Sequence, residues 1–378
     1  MKIEEFKSGK YLQQQNYKSF SPVKINSTWS WTDGKLNTLL AEANRKLGAL
    51  DAFSLHVPDI DIFIEMHVAK EATKSSKIEG TQTEFKEAFK KSSDIAPERK
   101  NDWQEVHNYI EAMNTSINKL KTLPLSTRLL REAHKILIGG VRGEYRNPGE
   151  FRTSQNWIGG ATLKDAAYIP PVHTEVNELM SDLENFLHND QLDVPVLIRA
   201  GIAHYQFETI HPFLDGNGRI GRLLITLYLV SSGLLTKPSL YLSDYFEKHR
   251  QLYYDNLNNV RVKNNLVQWI KFFLVGIIET SENGIDTFKA ILKLKEQIED
   301  KKIITLGKKL PTAKLLLTYL FRKPVINAQD VQEELKVSLP TVNSILSDFE
   351  KLGIITERTG WRRNREFEFS EYLELFTR

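Results

Sequence analysis

Cysteine is absent from this chain of 378 residues, and no apolar run approaches the length of a membrane-spanning helix. The first absence excludes a disulfide framework and a thiolate zinc site, and the second excludes a helical membrane span. The nine histidines show none of the spacings typical of a resident metal site. A net charge of +3 is too small to indicate nucleic-acid binding by itself. Together these features predict a soluble, cytoplasmic protein with no membrane partner.

The bulk composition is that of a folded protein with more than one domain. Hydrophobic residues make up 41% of the chain and charged residues 26%, which is enough to build two or three cores. The polar opening, up to about Asn26, is expected to be loosely attached. Helical periodicity dominates afterwards, until a lysine-rich stretch predicts a boundary. We therefore expect a helical region in residues 1–100, a core domain in 101–286, a charged linker or helix in 287–310 and a compact module in 311–378.

One run of the sequence, HPFLDGNGRIGR from His211 to Arg222, combines a base, an acid, glycines and arginines. It follows a helical pattern that Pro212 should end at about His211, because proline disfavours the αR conformation in the residue before it. An apolar pattern resumes after the run and predicts a second helix. The run is therefore predicted to be a loop that leads into a helix N-terminus, where backbone N–H groups attract anions.

The side chains of this loop suit the phosphates of a nucleotide. Gly216 and Gly218 let the backbone adopt positive φ and approach a ligand closely, so that N–H groups can surround phosphate oxygens. Asn217 adds a side-chain amide donor. Arg219 and Arg222 lie three residues apart in the first helical turns, where their guanidinium groups can hold the outer phosphates.

Two further groups of the loop indicate chemistry as well as binding. Asp215 is an acid placed where phosphate charge gathers, which makes sense if it holds Mg²⁺. His211 lies at a helix end facing the loop, where its imidazole can take a proton from an incoming hydroxyl group. The glycines also spell G-x-G-x-x-G, a pattern of dinucleotide-binding folds, but that motif requires a preceding strand and a helical pattern precedes it here.

The same run resembles the complete signature of the Fic family, H-x-F-x-[DE]-G-N-G-R-x-x-R. Members of this family typically transfer AMP from ATP to a hydroxyl side chain of a protein. The resemblance implies that His211 is the general base, Asp215 the ligand of the Mg²⁺ that accompanies ATP, and Phe213 the apolar anchor of the loop. It also implies that the glycines, the asparagine and the two arginines hold the phosphates, with Arg222 on the γ-phosphate.

A second segment, SSKIEG from Ser75 to Gly80, closes a predicted helix. Glycine is a common C-terminal cap, whereas a carboxylate such as Glu79 in the last turn opposes the helix dipole unless a cation faces it. Ser75, Glu79 and Gly80 are similar to the inhibitory motif of the Fic family, [ST]-x-x-x-E-[GN]. The resemblance implies that Glu79 pairs with Arg222 and keeps it from the γ-phosphate. The alternative is a solvated helix end.

The stretch from Asn147 to Pro171 is rich in glycine, proline and aromatic residues, which favour a short hairpin over a helix. In the Fic family, a hairpin flap at this place borders the active site and holds the target by main-chain pairing. The resemblance thus implies that Ile158, Gly159 and Gly160 contact the target protein. The alternative is an ordinary surface loop.

A tyrosine pair, Tyr253 and Tyr254, follows the loop within a helical pattern rich in aromatic residues. Most aromatic residues of this stretch are expected in the core. The pair is similar to two tyrosines that lie beside the adenine in the Fic family, and this resemblance implies an adenine-side position for both residues.

The C-terminal module has the element order of a winged helix-turn-helix. Apolar stripes predict three helices, the third from Ser338 to Leu352 with Gly353 at its end. Two alternating segments, 354–358 and 365–369, then predict two strands around a tight turn. The expected fold class is therefore mainly α, with a Fic-type helical domain, a short β-hairpin flap and this winged helix.

Winged helices can bind DNA, and two features of the sequence bear on that use. The wing carries Arg358, Arg362, Arg363 and Arg365, which could contact phosphates. From residue 311 onward, however, ten basic residues are balanced by ten acidic ones, and a DNA-binding domain usually has a basic surface. The composition therefore favours recognition of a protein target, or dimer formation, over DNA binding.

These patterns lead to one principal interpretation and two alternatives. The principal one is an autoinhibited nucleotidyltransferase that moves AMP from Mg·ATP to a serine, threonine or tyrosine of a protein, itself included. The first alternative removes AMP at the same site, with Glu79 positioning a water molecule. The second is a DNA-binding regulator with a nucleotide-sensing site, which an intact His211 disfavours because sensing needs no base. A homodimer that controls the helix of Glu79 is compatible with the principal interpretation.

Overall fold

The computed structural model of the protein describes residues 1–57, 59–141, 145–361 and 365–377. The chain is mainly α-helical, as expected. No helix in the described ranges has both the length and the hydropathy needed to cross a membrane. Before the C-terminal module the helices are α1 (Gly34–His56), α2 (Ile60–Ile78), α3 (Lys100–Lys119), α4 (Thr127–Leu137), α5 (Val176–His188), α6 (Val196–Ile210), α7 (Asn217–Ser231), α8 (Ser243–Lys248), α9 (Arg250–Lys263) and α10 (Leu266–Gln297).

Helices α6 and α7 form the centre of this helical domain. Every residue of α6 from Leu197 to Ile210 is buried, and α7 is buried from Arg219 to Leu229. A helix that is enclosed on all sides must be apolar nearly all round, and the polar residues that it does carry need internal partners. The loop between α6 and α7 is therefore held between two buried helices.

Helix α10 packs along α1 and connects the helical domain to the C-terminal module. The rings of Phe53 and Phe288 stack between the two helices, with their centroids 6.5 Å apart. Past its last residue the chain continues through a π turn (Ile298–Lys302) and a 3₁₀ segment (Ile303–Lys309) that is kinked at Gly307 (φ 53°, ψ −119°). The expected boundary at residue 287 falls inside α10, and the domain limits stay a prediction.

The N-terminal segment is not loosely attached, contrary to expectation. It forms an antiparallel hairpin of β1 (Gly9–Gln13) and β2 (Lys18–Pro22), called here the N-terminal hairpin. Four large apolar residues within the hairpin or next to it in sequence are buried in the core: Ile3, Phe6, Phe20 and Ile25. The prediction failed because it used average polarity, whereas a few apolar residues at the right positions suffice to dock a strand pair.

The expected hairpin of the flap is present in a minimal form. Ile158 and Tyr168 form an antiparallel bridge, in which each N–H donates to the carbonyl of the other residue (2.8 and 3.1 Å). The turn starts at Gly159 and Gly160, with φ of 68° and 73°. A Cβ at position 160 would overlap the carbonyl of Asp165. Both glycines are therefore required by the turn itself.

The C-terminal module is a winged helix, as expected. Its third helix ends at Gly353, which has the positive φ of a C-terminal cap (62°). The wing residues Arg362 and Arg363 lie outside the described residues. The module contains α11 (Leu310–Arg322), α12 (Ala328–Leu335), α13 (Leu339–Lys351), α14 (Ser370–Glu374) and an antiparallel sheet in the order β3 (Val325–Asn327), β5 (Glu366–Glu368), β4 (Thr356–Glu357).

The winged helix packs on α2, the helix that carries the expected inhibitory motif. The ring of Phe321 meets that of Phe63 edge to face, with 5.7 Å between centroids. The ring of Phe376 lies 5.1 Å from that of His67 in the same way. Aromatic contacts of this kind are favourable beyond the area they bury. Helix α2 thus belongs to the core of the helical domain on one side and to this interface on another.

Candidate active site

The run from His211 to Arg222, called here the signature loop, joins α6 to α7. Helix α6 ends at Ile210, and His211 adopts the left-handed conformation (φ 51°, ψ 61°). Pro212 explains this ending, since it disfavours αR in His211. Gly216, also left-handed (φ 74°, ψ 7°), is the N-cap of α7. The structure thus has the helix, loop and helix that the sequence predicted.

The interior of the loop is closed by Phe213 and Asn217. The Phe213 ring is fully buried and stacks on the His134 imidazole, with centroids 3.8 Å apart. The Asn217 amide accepts from the Phe213 N–H and donates to the Phe213 carbonyl, both at 2.8 Å. The side-chain amide that was expected to meet phosphate is therefore engaged in holding the loop, which leaves the backbone N–H of Asn217 for an anion.

Two buried polar residues that sequence reasoning missed hold the backbone of the loop. The Arg152 guanidinium donates to the carbonyl oxygens of Pro171 (2.6 Å) and His211 (2.9 Å). Asn156 donates to the carbonyls of His211 (3.2 Å) and Phe213 (2.8 Å). A left-handed conformation is costly for a residue other than glycine. These bonds supply the restraint that keeps His211 in it.

His134 is a third residue that sequence reasoning missed. Its Nδ1 accepts a hydrogen bond from the Gly149 N–H (2.9 Å), so the ring proton lies on Nε2 and is donated to the Asp215 carbonyl (3.0 Å). Burial lowers the pKa of His134 to about 4, which keeps the ring neutral and preserves this pattern. The imidazole therefore fixes the backbone beside the Asp215 carboxylate.

The imidazole of His211 faces a site that keeps it neutral. Burial lowers its pKa to about 3, and the positive charges of Arg261 and Arg152 act in the same direction. No described residue meets the distance and angle of a normal hydrogen bond with its Nδ1, although a backbone contact with Glu208 acts on the pKa in the opposite direction. At neutral pH the ring therefore carries one free lone pair, which is the form that a general base requires.

Arg222 is buried and is held by the segment from Ser75 to Glu79 at the end of α2. Its Nη2 lies 2.7 Å from Glu79 Oε1, its Nε donates to Ser75 Oγ (2.8 Å), and Nη2 also donates to the Ser75 carbonyl (3.0 Å). The structure therefore brings together the two segments that the sequence marked, although they lie 143 residues apart at Glu79 and Arg222.

The Glu79 carboxylate also lies over the start of α7. A Cβ at position 218 would overlap its Oε1, so only glycine lets the carboxylate come so close. The Glu79 side chain is 35% exposed. Its partial burial raises the pKa, but the attraction of Arg222 outweighs that effect and the net pKa is lowered. An ionised carboxylate at a helix N-terminus occupies the position that a phosphate would favour.

Arg219 and Asp215 form a second charged group at the start of α7. Arg219 is buried and pairs with Glu105 at 3.0 Å, while its Nη2 is 3.8 Å from Asp215 Oδ1. The Asp215 side chain is 45% exposed. Among the described residues, no group of three or more acidic, histidine or cysteine side chains could hold a metal ion by itself. Asp215 fits a Mg²⁺ that also binds phosphate oxygens and water.

The tyrosine pair divides between core and surface. Tyr253 is buried, stacks on Phe246 at 4.5 Å and donates to His204 Nε2 at 2.9 Å, since His204 Nδ1 is 2.8 Å from the Gly221 carbonyl and carries the ring proton. Tyr254 is 38% exposed, and after burial the largest factor that raises its pKa is the charge of Glu79. Only Tyr254 is therefore open to a ligand.

Glu208 is a further buried acid near Arg222. Burial raises its pKa to about 7, against the attraction of Arg222. Its Oε1 lies so close to Gly221 that a Cβ there would overlap it. A side chain at position 221 would therefore displace the Glu208 carboxylate and press on the Phe207 ring. Nothing in the sequence pattern singled out Glu208.

The site thus lies in a mainly helical domain with a glycine-rich helix start, two buried arginines and a neutral histidine, and this domain is joined to a winged helix. Family models give the specific assignment. Residues 37–118 match the Fic/DOC family N-terminal model, residues 124–229 match the Fic/DOC family model, and residues 310–356 match a model for winged helix-turn-helix DNA-binding domains. The chain therefore contains the N-terminal and central parts of a Fic/DOC domain, followed by a winged helix.

Curated relatives carry the name protein adenylyltransferase Fic. The chain is 33% identical to that of Culex quinquefasciatus over 181 residues and 33% identical to that of Aedes aegypti over 182 residues. Each alignment covers 48% of this chain. The aligned part spans about a third of the length of these relatives, 31% and 32%.

Solved structures share the fold of this chain over more residues than the sequence alignments cover. A Fic family protein from Desulfovibrio desulfuricans G20 superposes with a TM-score of 0.56 and covers 92% of this chain and 98% of its own, at 20% identity. Residues 134–508 of Fic-1 from C. elegans superpose with a TM-score of 0.51 over 69% of this chain and 75% of that one, at 21% identity. These matches concern the fold alone.

Proposed function

We propose that this protein is an adenylyltransferase that moves AMP from Mg·ATP to a serine, threonine or tyrosine hydroxyl of a protein, itself included. The observation that carries this proposal is the geometry of the signature loop. A neutral, restrained His211 lies one loop away from a helix start that offers backbone N–H groups and two buried arginines. The names of the curated relatives support the same reaction.

The proposed reaction is an attack of the hydroxyl oxygen on the α-phosphorus of ATP. His211 accepts the hydroxyl proton, the new P–O bond forms, and the bond to pyrophosphate breaks, so that AMP stays on the target. The N-terminus of α7 and the arginines stabilise the negative charge on the phosphates. Mg²⁺ held by Asp215 would further offset this charge and orient the leaving pyrophosphate.

We further propose that Glu79 inhibits this reaction. Its carboxylate occupies the helix start at Gly218 and holds the Arg222 guanidinium, so an ATP molecule cannot place its γ-phosphate on Arg222 while the pair exists. Like-charge repulsion between the carboxylate and a phosphate adds to the steric conflict. Transfer then requires Glu79 to leave, and the free energy of the Glu79–Arg222 contact sets the extent of inhibition.

The winged helix is proposed to recognise protein rather than DNA. Two large apolar residues of the module are exposed and line one groove, Leu339 at the start of α13 (45% exposed) and Trp361 in the wing (63% exposed). A groove of about 1500 Å³ runs from these residues to the segment 89–96 that follows α2. Exposed aromatic and aliphatic side chains suit a protein partner, whereas DNA backbone binding depends on clustered basic residues.

The test is incorporation of label from α-labelled ATP with Mg²⁺ into the protein. Wild type, Glu79→Gly and the double variant Glu79→Gly/His211→Ala are compared at equal concentration. We expect Glu79→Gly to raise labelling about 5- to 150-fold, the usual range of a coupling of this kind, and the double variant to abolish it. Glu79→Gln, which keeps a hydrogen bond to Arg222 without the charge, should lie between.

Other outcomes would redirect the proposal. Absence of label in all variants, with ATP still bound, would reject AMP transfer and favour AMP removal or nucleotide sensing. Equal labelling of wild type and Glu79→Gly would reject inhibition by Glu79 but not AMP transfer. Sequence-selective binding of DNA fragments that resists salt would reject the protein-binding assignment of the winged helix.

A further inference from the structure

The outer edge of the flap has a free backbone position at Trp157. The next residue, Ile158, uses both its N–H and its carbonyl for the bridge to Tyr168. In an antiparallel pair, the residues that flank such a doubly bonded residue point their own N–H and carbonyl groups away from the partner strand. Accordingly, the Trp157 backbone forms no backbone hydrogen bond with any described residue. An extended segment can therefore pair with the flap at Trp157.

The side chains of this segment alternate between two faces of the flap. Asn156 is buried and donates to the His211 carbonyl (3.2 Å), so its face is the one that meets the signature loop. Ile158 follows two residues later and lies on the same face, together with its buried partner Tyr168. Trp157 lies between them in sequence and is 38% exposed. Its indole therefore projects from the opposite face of the flap.

A target segment that pairs with Trp157 must follow the same alternation. Its residue directly opposite Trp157 lies about 5.5 Å away between Cα atoms and has its side chain on the face of the indole. The two neighbours of that residue, opposite Asn156 and Ile158, have their side chains on the face of the signature loop. A hydroxyl group that reaches His211 therefore belongs to one of these neighbours. The residue that contacts the indole is thus adjacent in sequence to the modified residue.

The Trp157 indole suits an apolar side chain. Covering the exposed part of the ring removes apolar area from water, and cross-strand pairs of an aromatic with an aromatic or aliphatic residue stabilise a strand pair further. A cation can also lie over an indole, but positive charge is already present nearby. After burial, the charges of Arg261 and Arg152 lower the pKa of His211, and Lys164 in the turn of the flap is exposed. These charges disfavour a cationic target residue.

We propose that Trp157 determines target specificity, and that the preferred target is an extended protein segment with an aromatic or large aliphatic residue directly beside the modified serine, threonine or tyrosine. The indole covers this apolar side chain while the backbone of the segment pairs with Trp157. This proposal rests on the proposed AMP transfer. It adds a side-chain preference to a backbone pairing that every sequence can make.

The test compares short peptides as substrates of the Glu79→Gly protein. Each peptide has one central serine, threonine or tyrosine, and both neighbours of this residue are phenylalanine, glutamine or arginine. We expect kcat/KM of the phenylalanine peptides to exceed that of the glutamine peptides about tenfold. In the same background, Trp157→Phe should retain most of this preference and Trp157→Ala should lose it. Trp157→Glu should make the arginine peptides the preferred ones, because opposite charges then face each other across the strand pair.

Leu315→Ala is the matched control, because it also removes a large exposed apolar side chain (59% exposed) but lies on α11 of the winged helix. This change should leave the preference for the phenylalanine peptides intact. Raising the salt from about 0.1 M to about 1 M should not reduce that preference, because an apolar contact is not screened. The same change in salt should weaken the preference of Trp157→Glu for the arginine peptides.

The two proposals fail in different ways. Loss of self-labelling in the Glu79→Gly protein would reject AMP transfer itself. If self-labelling persists, specificity through Trp157 is rejected when the phenylalanine peptides are not the fastest, including the case in which no peptide is labelled. It is also rejected when Trp157→Glu still prefers the phenylalanine peptides, because the selecting contact would then lie elsewhere. A Trp157→Phe protein that labels no peptide would reject it as well, because the flap would then need tryptophan for its fold.

Discussion

The signature loop and helix α13 of the winged helix are both segments with conspicuous polar residues, but they are held very differently. In the loop, Asn217, Arg219 and Arg222 are at most 4% exposed, and each side chain has a specific partner. On α13, Thr341 and Asn343 are exposed. The fixed contacts of the loop side chains therefore limit which reaction the loop can support. The contacts of α13 determine only how the winged helix folds.

The difference follows from what each segment buries. Helix α13 is specified by an apolar stripe of Val342, Ile345, Leu346 and Phe349, all buried, and many polar residues would fit its outer face equally well. In the loop, Asn217, Arg219 and Arg222 are buried, so each of them needs a hydrogen-bond or ion-pair partner. A motif of buried polar residues thus carries more information about function than an exposed polar helix face.

The largest effect that this comparison predicts is at His211. In the Glu79→Gly background, His211→Ala should reduce the rate of transfer by about 10² to 10⁴, the usual contribution of a general base. ATP affinity should change little, since the imidazole is not needed to hold phosphates. Single-turnover labelling and equilibrium ATP binding measure the two quantities. Loss of ATP binding in parallel with the rate would assign His211 a binding role instead.

The next largest effect concerns the restraint on the loop. Arg152→Lys replaces a planar fork by a single ammonium, which cannot reach the same set of carbonyls. A shift of about 1 Å at His211 can cost about 10² in rate, so kcat should fall while the KM for ATP stays similar. Arg128→Lys, at a side chain that is 79% exposed, is the control. An unchanged kcat in Arg152→Lys would remove Arg152 from the positioning of His211.

A smaller effect concerns the pH dependence of stability, in which the helical domain that contains the signature loop should differ from the winged helix. Burial lowers the pKa of His67 and of His204 to about 3, whereas the winged-helix module contains no histidine. Below pH 6.5 these two histidines bind protons in the unfolded chain but stay neutral in the folded protein. The free energy of unfolding therefore falls as the pH drops from 6.5 towards 3. At pH 5 each of the two histidines should lower the free energy of unfolding by about 2 kcal/mol.

Thermal melting at pH 7.5 and pH 5.0 measures this loss. The Tm should be lower at pH 5.0, and His67→Leu should reduce the difference between the two values, because one of the sites has been removed. If the Tm difference is the same in wild type and His67→Leu, the His67 ring must be able to take up a proton in the folded state, against the burial described above.

The smallest effect is expected on α13. Asn343→Ala should change the free energy of unfolding by no more than about 0.5 kcal/mol, as is usual for an exposed position, and self-labelling should be unchanged. Denaturant titration and the labelling assay check both. A large loss of labelling would mean that the outer face of α13 contributes to transfer, and the contrast with the loop would fail.

The sequence predicted those features of the site that depend on local rules. The end of α6 at His211 follows from Pro212, and the end of α2 follows from Gly80. The contact between Glu79 and Arg222 was expected from the resemblance to the Fic family, and the dipole argument at the helix end agrees with it. The winged helix was recognised from its apolar stripes, although β3 was not.

The features that were missed depend on contacts between distant segments. Arg152, Asn156 and His134 act through bonds to backbone carbonyls and N–H groups of the loop, and such bonds leave no periodic pattern in the sequence. A buried arginine also looks like a surface arginine in a composition argument. The N-terminal hairpin was missed for the related reason that its docking partners, near Ile169 and Asn264, lie far along the chain.

The order of the two partners along the chain has a consequence for how the protein is made. Synthesis proceeds from the N-terminus at about 5–20 residues per second, so the helix with Glu79 leaves the ribosome before Arg222, which follows 143 residues later. That interval is on the order of 10 s, far longer than the formation of a helix. If Glu79 inhibits as proposed, each newly made molecule has its inhibitor ready before its phosphate site exists, and no active form precedes the inhibited one.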